Sequence, residues 1–302
     1  MELEDLMRIF PRRLRMRKGD FFEEIDKMQE LRFRIGQPVE LIGGTRRIWQ
    51  DAIVTRSDIR EMLEYISGYS LYAFDEEIAQ GFITIPGGHR VGVAGQVVMA
   101  DGKIKTMRNI SFLNIRLSHE IIGCGENVIP YILDDRRMLN TLIVSPPRCG
   151  KTTLLRDLVR IVSGKPENKS GKSVVVVDER SEIAGCYRGM PQNDLGCRTD
   201  VLDGCPKSHG MMMAVRSLSP EVLVVDEIGG EKDIRALRYA MNCGSSLLAT
   251  IHGGDFKEVR EKPLVKELVE EQLFRRYIIL KGGRIPGQIQ EILDERGMKM
   301  WC

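Results

Sequence analysis

The chain has 302 residues, 42% of them hydrophobic and 29% charged, and 45 Lys and Arg against 43 Asp and Glu leave a formal charge of +2. At roughly 150 residues per domain, that length points to two domains, each able to bury a core. Near-neutrality excludes a global field drawing the chain to nucleic acid or an anionic membrane, so such a partner would have to be met by a local patch.

The start, Met1-Glu2-Leu3-Glu4-Asp5, is acidic where a secretory signal is basic and then apolar, so a cytoplasmic chain is expected. Arg8 to Lys18 then holds six basic residues (Arg8, Arg12, Arg13, Arg15, Arg17, Lys18) and no acid, interleaved with Leu6, Ile9, Phe10 and Leu14. A solvated helix face is the plain reading; peripheral association with an anionic membrane face, or docking on an acidic partner, is the functional one. Glu30 to Ile35 alternates and stops at Gly36, and Pro38 to Ile42 breaks at Gly43-Gly44, which predicts two short strands. Ser57-Asp58 predicts a helix start, with Ile59, Met62, Leu63 and Ile66 at helical spacing up to Gly68. Gly81 to Pro86, His89 to Val98 and Asn109 to Leu117 read as strands parted by Gly87-Gly88 and the Asp101-Gly102 turn. Residues 1–125 are thus expected to form a smaller α+β domain, with a linker over 126–137 where Gly and Pro130 precede a charged cluster.

From residue 138 to 302 the pattern changes. Leu142 to Val144, Val174 to Val177, Val222 to Val225 and Leu247 to Ile251 are short, mainly apolar runs. Between them lie helical stretches at Thr152 to Ile161, Met211 to Leu218 and Asp233 to Asn242. Such strands alternating with helices indicate an α/β core, a mostly parallel sheet with helices on both faces. No apolar run approaches the roughly 18 residues of a membrane span. The seven cysteines (Cys124, Cys149, Cys186, Cys197, Cys205, Cys243, Cys302) are odd in number, scattered and free of any C-x-x-C pair, which argues against a disulfide framework. The gaps between Cys186, Cys197, Cys205 and His209 match no usual zinc-ligand pairing.

Between the first apolar strand and its helix lies Ser145-Pro146-Pro147-Arg148-Cys149-Gly150-Lys151-Thr152-Thr153. It fits the phosphate loop G-x-x-x-x-G-K-[ST] at every defined position but the first, where Ser145 stands for Gly. In such a loop backbone N–H groups wrap a phosphate, Lys151 reaches the β- and γ-phosphates of ATP, and the Thr152 hydroxyl ligates Mg²⁺. The strand Val222 to Val225 delivers Asp226 and Glu227 at the edge where ligands bind in open α/β sheets. Asp226 is the candidate for the Mg²⁺ shell and Glu227 for orienting the attacking water. A further acidic cluster, Asp178-Glu179-Arg180-Ser181-Glu182, follows Val174 to Val177, and His252 ends the strand Leu247 to Ile251, placed to sense a γ-phosphate.

In this order the elements resemble the secretion-type ATPases of type II secretion, type IV pili and type IV secretion. The resemblance implies a RecA-like core in which Ser145 to Thr152 is the phosphate loop, Asp178 to Glu182 an acidic "Asp box" and Ala249 to His252 a "His box". It also implies catalytic roles for Glu179 or Glu182. Two departures stand out: Ser145 in place of Gly, and Asp-Glu-Arg-Ser-Glu in place of Glu-Asp-Pro-x-Glu. Within that group, the strings Gly81-Phe82-Ile83-Thr84-Ile85, Gly87 to Gly92, Val177 to Gly185, Asp200 to Asp203 and Cys205-Pro206-Lys207 are similar to the stage III AA sporulation family of endospore formers. That resemblance implies a hexameric cytoplasmic motor or assembly factor on the mother-cell side, working with membrane proteins of a transenvelope channel. Ring ATPases borrow a positive charge in trans, for which Arg90 and Arg116 are the candidates, with Arg108 and Arg216 behind them. The alternatives are a nucleotide-binding scaffold without turnover and a nucleic-acid motor. No basic stripe with interleaved aromatics supports the second, so no nucleic acid is expected.

Overall fold

The computed structural model describes residues 3–15, 28–44, 46–68, 77–78, 81–134, 137–147, 149–167, 170–282 and 286–301, with side chains from residue 6 onward. Arg148 of the expected phosphate loop, Arg17 and Lys18 of the basic stretch, and Cys302 lie outside the described residues. The chain divides into two compact units, Met1–His119 and Glu120–Cys302.

In the first unit, β1 (Glu30–Arg34), β2 (Pro38–Gly43), β3 (Arg46–Ile53), β4 (Phe82–Ile85), β5 (His89–Ala100) and β6 (Lys103–Arg116) form an antiparallel sheet in the order β3-β2-β1-β6-β5-β4. Asp101 and Gly102 both take positive φ (50° and 73°), which closes the β5–β6 hairpin tightly. The helix Arg56–Ile66 starts one residue before the predicted Ser57. Thr55 is its cap, accepting from the Asp58 N–H, while the Asp58 carboxylate reaches back to the Thr55 N–H. Its apolar stripe of Ile59, Met62, Leu63 and Ile66 packs with Leu31, Phe33, Val91 and Ile115 of the sheet. The N-terminal stretch is corrected here. Leu6, Ile9, Phe10 and Leu14 are buried in this same core, Arg13 pairs with Asp58 at 2.5 Å, and Arg15 Nε donates to the Phe10 carbonyl. Those apolar residues hold the unit together and offer no face to a membrane.

The second unit carries β9 (Thr141–Ser145), β10 (Val174–Asp178), β11 (Thr199–Asp203), β12 (Val222–Val225), β13 (Ser246–His252), β14 (Arg276–Leu280), β15 (Ile289–Asp294) and β16 (Lys299–Trp301). Their order is β11-β10-β12-β13-β9-β14-β15-β16, with every pair from β11 to β14 parallel and the last two strands antiparallel. Side chains of a strand alternate between faces, so each strand feeds two cores. Leu142, Val144, Val175, Val177, Leu223 and Val225 pack with helices Lys207–Ser217 and Glu231–Asn242, while Ile143, Val174, Val176, Val222 and Val224 pack with helix Lys151–Ser163. Burial on both faces is why these strands read as continuous apolar runs. Residues 126–137, expected to link two domains, fold within this unit. Val128, Ile132 and Met138 are buried with Leu154 and Leu158, and just before them the Gly125 N–H donates to Asp157 Oδ2 at 2.7 Å. Pro130 lies in the first turn of a short helix, Ile129–Ile132, and β7 (Leu133–Asp134) pairs antiparallel with β8 (Arg137–Met138).

Candidate nucleotide site

Because β9, β10, β12 and β13 are parallel, their C-terminal ends meet at one edge. The register sets His252 beside Ser145 and Ala249 beside Val225. Ser145, Asp178, Asp226, Glu227 and His252 therefore come together from four separate stretches of chain.

The loop between β9 and helix Lys151–Ser163 turns at Gly150, the helix cap, with φ 89°. A side chain there is excluded twice: by the left-handed backbone, and by the chain crossing at Pro286-Gly287, where a Cβ would lie 2.1 Å from Gly287 N. The Gly287 N–H donates to the Cys149 carbonyl at 2.8 Å. Ser145 does not share that left-handed backbone. It is fully buried at the end of β9, and its hydroxyl turns back to donate to the Pro146 carbonyl at 2.7 Å. That accounts for a serine at the first motif position. Pro146 and Pro147 carry the chain to buried Cys149, and Thr153 follows within the helix.

Lys151, buried at the helix start, places Nζ 3.3 Å from both ring nitrogens of His252. On the other side His252 Nε2 lies 3.1 Å from Glu227 Oε1. An ammonium only donates and a carboxylate only accepts, so the network assigns His252 an acceptor at Nδ1 and a donor at Nε2. Thr152 Oγ1 donates to Asp226 Oδ2 at 2.7 Å, and Thr250 Oγ1 donates to Asp226 Oδ1. Thr250 Oγ1 also accepts from the Glu227 N–H at 2.8 Å, while Arg180 Nη1 lies 3.6 Å from Glu227 Oε2. Next to Glu227 and His252 opens a pocket of about 530 Å³, which Arg180, Lys207, Lys262 and Leu264 also line.

The Asp box divides into two jobs. Asp178 is buried and accepts the N–H groups of Glu182, Ile183 and Ala184 at 2.8–2.9 Å. Arg156, also buried, donates to the carbonyls of Glu182 and Ile183. One acid and one base thus fix the same turn, and both are unavailable for chemistry. Burial raises the Asp178 carboxyl to about 6, against the lowering by its three N–H donors. A carboxyl that titrates higher folded than unfolded adds stability present below 3.8 and lost as pH rises through about 6. An NMR titration of the Asp178 side-chain carbon is expected to give a midpoint near 6. A midpoint below the ordinary carboxylate value would mean that the three N–H donors outweigh burial.

Glu179 points the other way, its carboxylate 2.9 Å from Lys207 Nζ. The structure thus gathers Ser145, Cys149, Gly150, Lys151, Thr152, Asp226, Glu227 and His252, with Glu179 and Glu182 on the adjoining loop. Arg90 and Arg116 belong to the first unit, where they face each other across β5 and β6. Arg90 lies over the Phe82 ring at 3.8 Å, and Arg116 Nε is 4.0 Å from Glu30.

Sequence reasoning gave no role of their own to Thr250, Arg156, Lys207 and Lys262. The first two left a signal: a hydroxyl inside an otherwise apolar strand, and an arginine amid the apolar residues of a helix. Lys262 Nζ donates to the His252 carbonyl from the start of helix Pro263–Glu270, and nothing in the sequence marks it.

Three comparisons bear on this geometry. The family model described as "Sporulation stage III, protein AA" matches residues 2–300. Stage III sporulation protein AA of Bacillus subtilis (strain 168) is 44% identical over 271 residues, 90% of this chain and 88% of that protein. Among solved structures, the Legionella pneumophila ATPase DotB aligns with a TM-score of 0.61 at 14% identity, over 91% of this chain and 79% of its own. The pilus retraction motor PilT, solved with bound ADP, aligns with a TM-score of 0.58 at 14% identity, over 88% and 82%. At such identities the two structures share the fold alone, a mixed α/β fold of secretion ATPases. With a family model matched over nearly its whole length and a close relative in Bacillus subtilis, the chain belongs to the sporulation stage III protein AA family.

Proposed function

We propose that this protein is a Mg²⁺-dependent ATPase of the secretion type, with a RecA-like core, acting as a hexameric cytoplasmic motor or assembly factor for a channel between mother cell and forespore. The observation that carries the reading is the meeting, at one sheet edge, of a phosphate loop, a Thr152–Asp226 oxygen pair and the chain Lys151–His252–Glu227. Backbone N–H groups around Gly150 and the start of helix Lys151–Ser163 would bind the phosphates, and Lys151 would meet the charge of the γ-phosphate. Thr152 and Asp226 offer hard oxygens 2.7 Å apart, a donor pair that suits Mg²⁺, which would neutralise charge on the β- and γ-phosphate oxygens. Glu227 would orient water and take its proton on a carboxylate oxygen. His252, bonded to both Lys151 and Glu227, would report occupancy of one to the other. Arg90 and Arg116 would supply positive charge to the nucleotide of a neighbouring copy, and membrane proteins of the channel would receive the motion.

Family membership and the shared fold of DotB, an ATPase, and PilT, a motor, support this reading. Purified protein is expected to release phosphate from ATP in Mg²⁺, to fall to background in EDTA, and to gain mass toward six subunits with nucleotide. Tight nucleotide binding with no phosphate release in Mg²⁺ would replace the motor with a scaffold.

A further inference from the structure

Lys207 opens the helix Lys207–Ser217, behind Pro206 as its cap. A cation at a helix N-terminus opposes the helix dipole, and this one is 14% exposed, so its placement costs stability on two counts. What it gains are two contacts: Nζ donates to the Glu227 carbonyl at 3.0 Å and meets Glu179 Oε2 at 2.9 Å. The helix comes close enough for this because Gly210, one turn on, has no side chain. A Cβ there would lie 2.4 Å from Val177 Cγ1 on β10.

Glu227 needs such a hold. Its φ is 54°, a left-handed backbone that an L-residue keeps only when its surroundings fix it. Thr250 holds its N–H, the Thr250 carbonyl takes the next N–H, from Ile228, at 2.9 Å, and Lys207 holds its C=O. We infer that Lys207 is a positioning residue for Glu227 and that Glu179 acts through Lys207, as its counter-charge, instead of on the attacking water. In this arrangement the Asp box braces Glu227 from two sides: Glu179 by way of Lys207 at the backbone, and Arg180 at the carboxylate. The kinetic part of the inference rests on the ATPase reading; the structural part does not.

The test compares wild type with Lys207→Met, Lys207→Arg, Glu179→Gln and the Glu179→Gln/Lys207→Met double variant. Lys207→Met is expected to lower kcat by about tenfold to a hundredfold, with the KM for ATP within about twofold, the pattern of a misplaced catalytic group. Lys207→Arg should recover most of the loss, and Glu179→Gln should add nothing in the Lys207→Met background. Unchanged kcat in Lys207→Met, or losses from Glu179→Gln and Lys207→Met that multiply, would overturn the inference. Hydrogen exchange over residues 226–230, read on the same proteins, is independent of turnover. It is expected to quicken in Lys207→Met and to return in Lys207→Arg. Should the wild type hydrolyse no ATP, the ATPase reading fails while exchange still decides the clamp, and unchanged exchange in Lys207→Met overturns it.

Discussion

Replacing Lys151 with alanine is expected to weaken ATP binding by about tenfold to a hundredfold, the worth of one charge-assisted hydrogen bond of ~1.5–3 kcal/mol. Hydrolysis should fall further, by about a thousandfold, since the same ammonium meets charge that grows in the transition state. The effect on the site is specific. Lys151 is the donor to His252, whose other nitrogen holds Glu227, so the alanine also loosens the acid on the far side of the ring. Titration with a fluorescent ATP analogue, beside a melting curve to show that the buried position tolerates the change, checks both figures. Affinity unchanged in Lys151→Ala would place the nucleotide away from this loop.

Glu227→Gln is expected to reduce turnover by about a hundredfold to ten-thousandfold, the usual worth of a positioned base, while ATP stays bound. Glutamine is close to the same shape, keeps an oxygen to accept from His252 Nε2, and leaves untouched the backbone contacts with Thr250 and Lys207. What it loses is the capacity to take a proton. Single-turnover measurement separates the chemical step from binding and release. Hydrolysis at the wild-type rate in Glu227→Gln would move the water-orienting role to another carboxylate, and Glu182 would be the first to examine.

The strands that build the site were legible because the physics that buries them also writes them. Val174 to Val177 and Val222 to Val225 lie between two helical layers, so both of their faces are apolar. Gly150 was legible as a turn because its left-handed backbone and the chain crossing at Pro286-Gly287 leave no room for a side chain, and Lys151 and Thr152 stood out through the candidate phosphate-loop motif. Two edge strands were not legible. β11 (Thr-Asp-Val-Leu-Asp) keeps polar residues, and β3 has Trp49 and Ile53 half exposed, so neither shows a continuous run. Residues 126–137 misled because Gly and Pro mark turns wherever they fall, inside a folded unit as well as between two. The basic N-terminal stretch misled for a related reason: charge is visible in a sequence, whereas the partner that buries Phe10 and Leu14 comes from elsewhere in the chain. The grip of Lys207 and Lys262 on the Glu227 and His252 carbonyls was invisible because a backbone acceptor leaves no mark of its own in a sequence.

The position of β9 in the sheet also sets the order in which this site can be made. The strand that carries the candidate phosphate loop lies between β13 and β14, both of which leave the ribosome long after it. The backbone that crosses Gly150 comes later still, at Pro286-Gly287. A nascent chain that has already made every residue of the loop therefore holds it on a strand with both edges open, and non-local pairings of this kind form slowly. Synthesis writes the loop well before the strands that flank it, and folding can finish it only with them.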